Sequence, residues 1–230
     1  MFGVKHLFND TANFKLLIDG VQIDRVNCTK FLGVIVDTKL IWTDHITLVV
    51  SKVAKGVGAL NRARGLLPRK LLLLIYYSMI YPHISYCNIV WGAASANQLH
   101  RLTLLQKRAI RIISNSQYLA HTSLLFANLK LFKLSDINIY QSLQFLYKLK
   151  FFLLPQSCLH LVQIAPTKLY SVRAKPFFMH NVCRTSHREQ DISFRGPVIW
   201  NSLPTSISTL FNISAFNSSI RTFIFSKYNI

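Results

Sequence analysis

Acidic side chains are scarce in this chain of 230 residues: eight Asp and Glu stand against 27 Lys and Arg, and Glu189 is the single glutamate. The eight are Asp10, Asp19, Asp24, Asp37, Asp44, Asp136, Glu189 and Asp191, and no two are adjacent. Nucleotidyl transfer on the two-metal plan needs carboxylates that hold two cations about 4 Å apart. With no turn-borne acidic pair, no residue is assigned a catalytic role. A GxxxxGK[ST] phosphate loop is missing as well. Cysteine is equally sparse. Cys28, Cys87, Cys158 and Cys183 match neither a CxxC nor a disulfide spacing, which fits a reducing, intracellular setting, nuclear or cytoplasmic. The first ten residues lack the charged and apolar regions of a signal peptide. No internal repeat or low-complexity run occurs.

What is present is positive charge, a formal +19. It is not a tail: residues 1–115 carry 15 basic and 5 acidic residues, and residues 116–230 carry 12 and 3. A folded chain with such a balance faces phosphates, because releasing counterions from a polyanion favours binding. Composition bias in a decaying gene is the bland alternative. Hydrophobic residues make up 51% and charged residues 15%, enough to build a core and to exclude global disorder. Residues 71–100 contain no Lys, Arg, Asp or Glu. Pro82, His83, Asn88, Asn97 and Gln98 interrupt that stretch, so a buried core helix is expected there and not a membrane span.

The pattern along the chain predicts a mainly α protein. It has a small β hairpin at the N-terminus, a helical bundle, and a smaller α+β unit at the C-terminus. The divisions fall at 1–43, 44–152 and 153–230. Asp19-Gly20 is a two-residue hairpin signal, and Gly33 predicts a bulge or a close backbone approach in the second apolar run. From Asp44, a plausible N-cap, apolar residues recur at helical steps through Leu60, and Gly65 can end that helix. A second helix starts near Pro68 and meets Pro82. A third follows Ser95-Ala96-Asn97, with Leu102, Leu105, Ala109 and Ile112 as its buried stripe. Helices are expected near 123–130 and 135–152. DISFRGPVIWNSLP predicts a strand and a Gly-Pro turn, and 214–226 a last amphipathic helix.

Several motifs occur in a telling order. FLGV at Phe31–Val34 precedes a Trp-x-x-His-Ile box at Trp42–Ile46. YYSMIYPHISYCNIVWG follows at Tyr76–Gly92, then the basic LQKRAIRII at Leu105–Ile113. His121-Thr122 with Leu125-Phe126, Arg184-Thr185 and FRGPVIWNSLP complete the series, and Leu124 stands where a proline is usual. This order resembles the segment after the catalytic palm of LINE-type (non-LTR, jockey-like) retrotransposon reverse transcriptases. The resemblance runs over nearly the whole chain.

The resemblance implies a palm remnant and a primer-grip-like hairpin over 1–43, with Phe31, Leu32 and Gly33 as its grip residues, and a thumb-like helical region over 44–152 that grips RNA or an RNA–DNA duplex. Lys52, Lys55, Arg62 and Arg64 on the first helix, Arg69 and Lys70 at the turn, and Lys107, Arg108 and Arg111 on the third helix are the candidate contacts. For any one of them a merely solvated helix face is the competing account. The resemblance also implies an RNA-directed DNA polymerase as parent protein. Its Tyr-x-Asp-Asp box and magnesium would belong to a palm upstream of Met1, and Met1-Phe2-Gly3 resembles the strand just after that box. No cofactor or metal is assigned here, and no membrane. His180, Cys183 and His187 form only a partial zinc spacing, because structural zinc takes four ligands. At helical spacing Tyr76, Met79 and Ile80 belong to the core, although tyrosine and tryptophan can also stack on bases. His45 is expected to be packed and not catalytic. A domesticated helical nucleic-acid-binding module with no polymerase role is the second reading.

Overall fold

The computed structural model describes residues 16–165, 177–179 and 189–228. His180, Cys183, His187, Arg184-Thr185 and Met1-Phe2-Gly3 lie outside the described residues. The chain falls into two compact units, divided between Ile41 and Trp42.

The first unit holds two antiparallel hairpins where the sequence pattern predicted one. β1 (Leu16–Ile18) pairs with β2 (Val21–Ile23), and β3 (Cys28–Phe31) pairs with β4 (Val34–Asp37). Both turns place their two central residues at positive φ: 48° and 80° at Asp19-Gly20, 46° and 85° at Leu32-Gly33. That is the twist a two-residue hairpin needs. Gly33 therefore closes a turn and does not form a bulge. After β4 the Asp37 carboxylate accepts the backbone N–H groups of Lys39 at 2.9 Å and Ile41 at 3.1 Å, which fixes the chain's exit from the sheet.

The second unit is helical. Its helices are α1 (Thr43–Ala63), α2 (Arg69–Met79), α3 (Tyr81–Ser85), α4 (Asn88–Trp91), α5 (Ala96–Ile113), α6 (Thr122–Leu129), α7 (Leu134–Lys150), α8 (Gln156–Leu159), α9 (Ile192–Asn201), α10 (Thr205–Ser208) and α11 (Ile213–Ser226). α1 buries Val49, Val53, Val57 and Leu60. It begins after Trp42, which is left-handed at φ 69°, so Asp44 sits in the first turn and is not the N-cap. There its charge still complements the helix dipole. Gly65, at φ 82°, ends the helix as predicted. Ser95 and Gln98 form a capping box at the start of α5, the reciprocal device that satisfies exposed N–H groups.

Two side-chain contacts align α1 with α5. Gln98 Nε2 donates to Thr43 Oγ1 at 3.1 Å where both helices begin. Arg64 Nε and Nη2 donate to Asn115 Oδ1 at 3.3 and 3.1 Å where both end. The helices therefore run parallel and in register over about 30 Å. Gly56 lets α2 approach, since a Cβ there would lie 2.7 Å from Ile80 Cγ1 and 3.1 Å from the Met79 carbonyl oxygen.

The uncharged stretch breaks into α2, α3, α4 and the start of α5. Among the described residues no helix is long and apolar enough to cross a membrane. Tyr76 and Ile80 are fully buried as expected, whereas Met79 is exposed. Trp91 is buried too, with Nε1 donating to the Tyr86 carbonyl at 2.9 Å, so it is not placed to stack on a base.

At the C-terminal end the predicted strand and Gly-Pro turn are corrected: residues 192–201 are helix, capped by Asp191 through Ser193 N–H at 3.1 Å. Gly196 and Pro197 are buried inside it. Gly196 lets α9 press on α7, because a Cβ would meet Leu146 at 3.2 Å. An aromatic tier joins Phe178, Trp200, Phe216 and Tyr147, with centroid separations of 5.6, 5.7 and 4.3 Å in that order. The predicted last helix is α11, which buries Phe216, Ile220 and Ile224.

Candidate nucleic-acid interface

No Asp or Glu occurs between Asp44 and Asp136, a span holding twelve Lys and Arg. The geometry of α1, α2 and α5 decides how that charge is displayed. On α1, Lys52, Lys55 and Arg62 are exposed and fall away from the Val49–Leu60 stripe, as a period of 3.6 dictates. On α5, Arg108 is exposed and Lys107 half-buried. Arg69 and Lys70 are exposed in the first turn of α2.

Because α1 and α5 end together and α2 starts a few residues after α1, Arg62, Arg64, Arg69, Lys70 and Arg111 gather at one end of the three-helix group. Two of these side chains already have work inside the protein. Arg64 holds Asn115, and Arg111 Nε donates to the Ala120 carbonyl at 3.0 Å, part-buried. Arg69 and Lys70 stand out for another reason. Cations at a helix N-terminus oppose the dipole, so their placement does not serve the stability of α2.

Phe31, Leu32 and Gly33 occupy the tip of the β3–β4 hairpin, with Phe31 66% and Leu32 73% exposed. Both apolar side chains stand at the turn tip and outside the core. His45 is packed as expected: it is buried, with its ring edge-on to Trp91 at a centroid distance of 5.4 Å. Burial holds its pKa below the ordinary histidine value, and Lys52 adds to the effect. Among the described residues no three His, Cys, Asp or Glu side chains come together to hold a metal.

Sequence patterns missed Gln106. It lies inside LQKRAIRII, but a glutamine among basic residues gives no sign that it is buried. It is buried, donates to the Phe132 carbonyl at 2.9 Å and accepts the Leu134 N–H at 2.9 Å, linking α5 to the α6–α7 connection. Nor did the sequence show that three separated motifs meet. Gly92 of the VWG block, His121-Thr122 and Phe126 of the HTxxLF segment, and Arg195 of FRGP line one cavity of about 650 Å³.

The chain is similar to RNA-directed DNA polymerases of mobile elements. It is 29% identical over 130 residues to the probable RNA-directed DNA polymerase from transposon X-element of Drosophila melanogaster, covering 54% of this chain and 14% of that protein. It is 28% identical over 122 residues to the RNA-directed DNA polymerase from mobile element jockey of Drosophila funebris, covering 52% and 13%. It is 27% identical over 136 residues to the probable RNA-directed DNA polymerase from transposon BS of Drosophila melanogaster, covering 56% and 14%. No family model matches the chain, and no solved structure matches it. About half of the chain is thus related to jockey-like, non-LTR retrotransposon reverse transcriptases, the kind of protein the motif order implied, although that order was read over nearly the whole chain. It spans about one seventh of the length of these relatives.

Proposed function

We propose that this chain is a non-catalytic segment of a retrotransposon-type reverse transcriptase that grips template–primer nucleic acid through its basic helices. The observation that carries this reading is the run of twelve Lys and Arg without an intervening acid, ten of them on or at the ends of α1, α2 and α5 and eight of those ten exposed. Contacts of this kind hold the phosphate backbone of an RNA–DNA duplex and do not read its sequence. In this reading the Phe31-Leu32-Gly33 tip steadies the primer end. The catalytic carboxylates and their magnesium belong to an upstream palm, which is also a protein partner. The site of action is nuclear or cytoplasmic.

The test is binding of a labelled RNA–DNA duplex by the purified chain across a salt series. Affinity is expected to fall steeply and linearly with log salt and to vary little with sequence. Binding that ignores salt sinks the grip. Incorporation of dNTPs by the chain alone sinks its non-catalytic status.

A further inference from the structure

The cavity where the separated motifs meet has a wall of one electrical sign. Lys107 from α5, Lys133 at the start of α7 and Arg195 from α9 line it, together with His100 and His121. No carboxylate is among the lining residues. Asp136, the nearest acid along α7, is engaged elsewhere: it accepts the Tyr228 hydroxyl and, at 3.4 Å, that of Ser135.

The backbone adds to this field. Thr122 and Ser123, the first residues of α6, and Leu134 and Ser135, the first of α7, also line the cavity. Neither N-cap residue supplies a side-chain cap. The Leu134 N–H is already taken by Gln106 Oε1, but both helix starts lie at the cavity and bring their dipoles' positive ends to it. Lys133 Nζ is held at 3.3 Å from Ser123 Oγ and 4.3 Å from the Tyr228 ring centroid. Neither contact neutralises it. Arg195 is half-buried, and burial lowers its pKa. Among the described residues its guanidinium has no hydrogen-bond or ion-pair partner. A desolvated, unpaired guanidinium is costly to keep. It becomes favourable when an anion takes its fork of donors.

We infer that this cavity is a binding site for a phosphate group, held by Arg195, Lys133 and Lys107, with the starts of α6 and α7 and the Ser123 and Ser135 hydroxyls beneath it. Its volume, about 650 Å³, takes a nucleotide-sized ligand. Phosphate on a free nucleotide and phosphate in a nucleic-acid strand share this chemistry. The site shares Lys107 with the grip proposed above but does not depend on it.

The experiment titrates the full chain with inorganic phosphate and with adenosine 5′-monophosphate by calorimetry, and with a labelled RNA strand by anisotropy. Wild type is compared with Arg195→Gln, Lys133→Gln, Arg195→Lys, Lys148→Gln and the outer-face pair Lys52→Gln/Lys55→Gln. Phosphate affinity is expected to fall about tenfold or more in each Gln variant of the cavity. Arg195→Lys should retain most of it, which separates lost charge from lost fold. Lys148→Gln, an exposed charge on α7 that belongs neither to the cavity lining nor to the grip, should leave it unchanged. If strand affinity falls with the cavity variants, the phosphate is that of a strand. If only phosphate and the nucleotide are affected, the ligand is a free nucleotide. Failure of phosphate to bind, or equal binding by the cavity variants, overturns the inference. Duplex binding lost only in the outer-face pair would then still support the grip.

Discussion

Gln106 donates from Nε2 to the Tyr76 hydroxyl at 3.0 Å, joining α5 to α2 where neither side chain reaches solvent. The same amide serves the Phe132 carbonyl and the Leu134 N–H. One residue therefore satisfies groups from three parts of the bundle. Gln106→Leu keeps the volume but leaves a hydroxyl, a carbonyl and an N–H unpaired. The expected loss is about 3 kcal/mol of unfolding free energy, against about 1 kcal/mol for Tyr76→Phe. Urea unfolding of both variants checks the ratio, and a Gln106→Leu variant no worse than Tyr76→Phe would refute this account of the network.

A second prediction concerns the α1–α2 crossing. A methyl at Gly56 would meet Ile80 Cγ1 at 2.7 Å and the Met79 carbonyl oxygen at 3.1 Å. The isoleucine can turn aside, but the backbone cannot. Gly56→Ala also gains helix propensity. Overpacking is expected to win, for a net loss of about 1–2 kcal/mol. Gly58 on the same helix has only the mobile end of Arg62 within reach, at 3.8 Å. Gly58→Ala should therefore stabilise by about 0.5–1 kcal/mol. Opposite signs for two glycines two residues apart would be read directly in melting temperatures.

The contrast between these glycines marks what the sequence could and could not convey. Periodicity located α1, α5 and α11, because each carries an apolar stripe that only one face of a helix can bury. Gly65 was legible because capping is local chemistry, whereas at Ser95-Ala96-Asn97 the helix start was read and its box with Gln98 was not. FRGPVIWN misled: Gly-Pro is a strong local turn signal, yet packing of Gly196 on Leu146 and the Asp191 cap hold it helical. At Leu32-Gly33 the apolar pattern alone read as one interrupted strand, whereas the family resemblance implied the hairpin that is found. The basic candidates were visible one by one. Their gathering at one end required the Arg64–Asn115 contact between residues 51 apart, which no local pattern encodes. The cavity wall, drawn from α5, α6, α7 and α9, was hidden for the same reason.

Acid sensitivity follows from His45. Burial lowers its pKa from the ordinary value of 6.5, with Lys52 contributing, and His83 is lowered by the same two causes in the same order. Above 6.5 both rings are neutral whether the chain is folded or not. Below it the unfolded chain takes up protons first, so stability falls as the pH drops from 6.5 towards the lowered folded values. The melting temperature should therefore decline on acidification through that window. His45→Phe keeps a ring against Trp91 and removes the titration. A slope unchanged in His45→Phe would assign the acid sensitivity elsewhere.

Arg69 and Lys70 offer the sharpest separation of stability from binding. They sit in the first turn of α2, whose N-cap Pro68 makes no side-chain cap and whose first turn holds no acid. Replacing both with Gln removes two charges that oppose the helix dipole, so stability is expected to rise by a few tenths of a kcal/mol. If these cations meet phosphates, the same double variant must lose duplex affinity, and the slope of log affinity against log salt should shrink by about two. Arg64→Gln behaves differently, because its guanidinium ties the end of α1 to Asn115: it should lose stability, by about 1 kcal/mol. A set of variants in which stability rises while binding falls cannot be explained by damage to the fold. Unchanged duplex affinity in Arg69→Gln/Lys70→Gln would instead make these residues a solvated helix face and remove the end of the bundle from the interface.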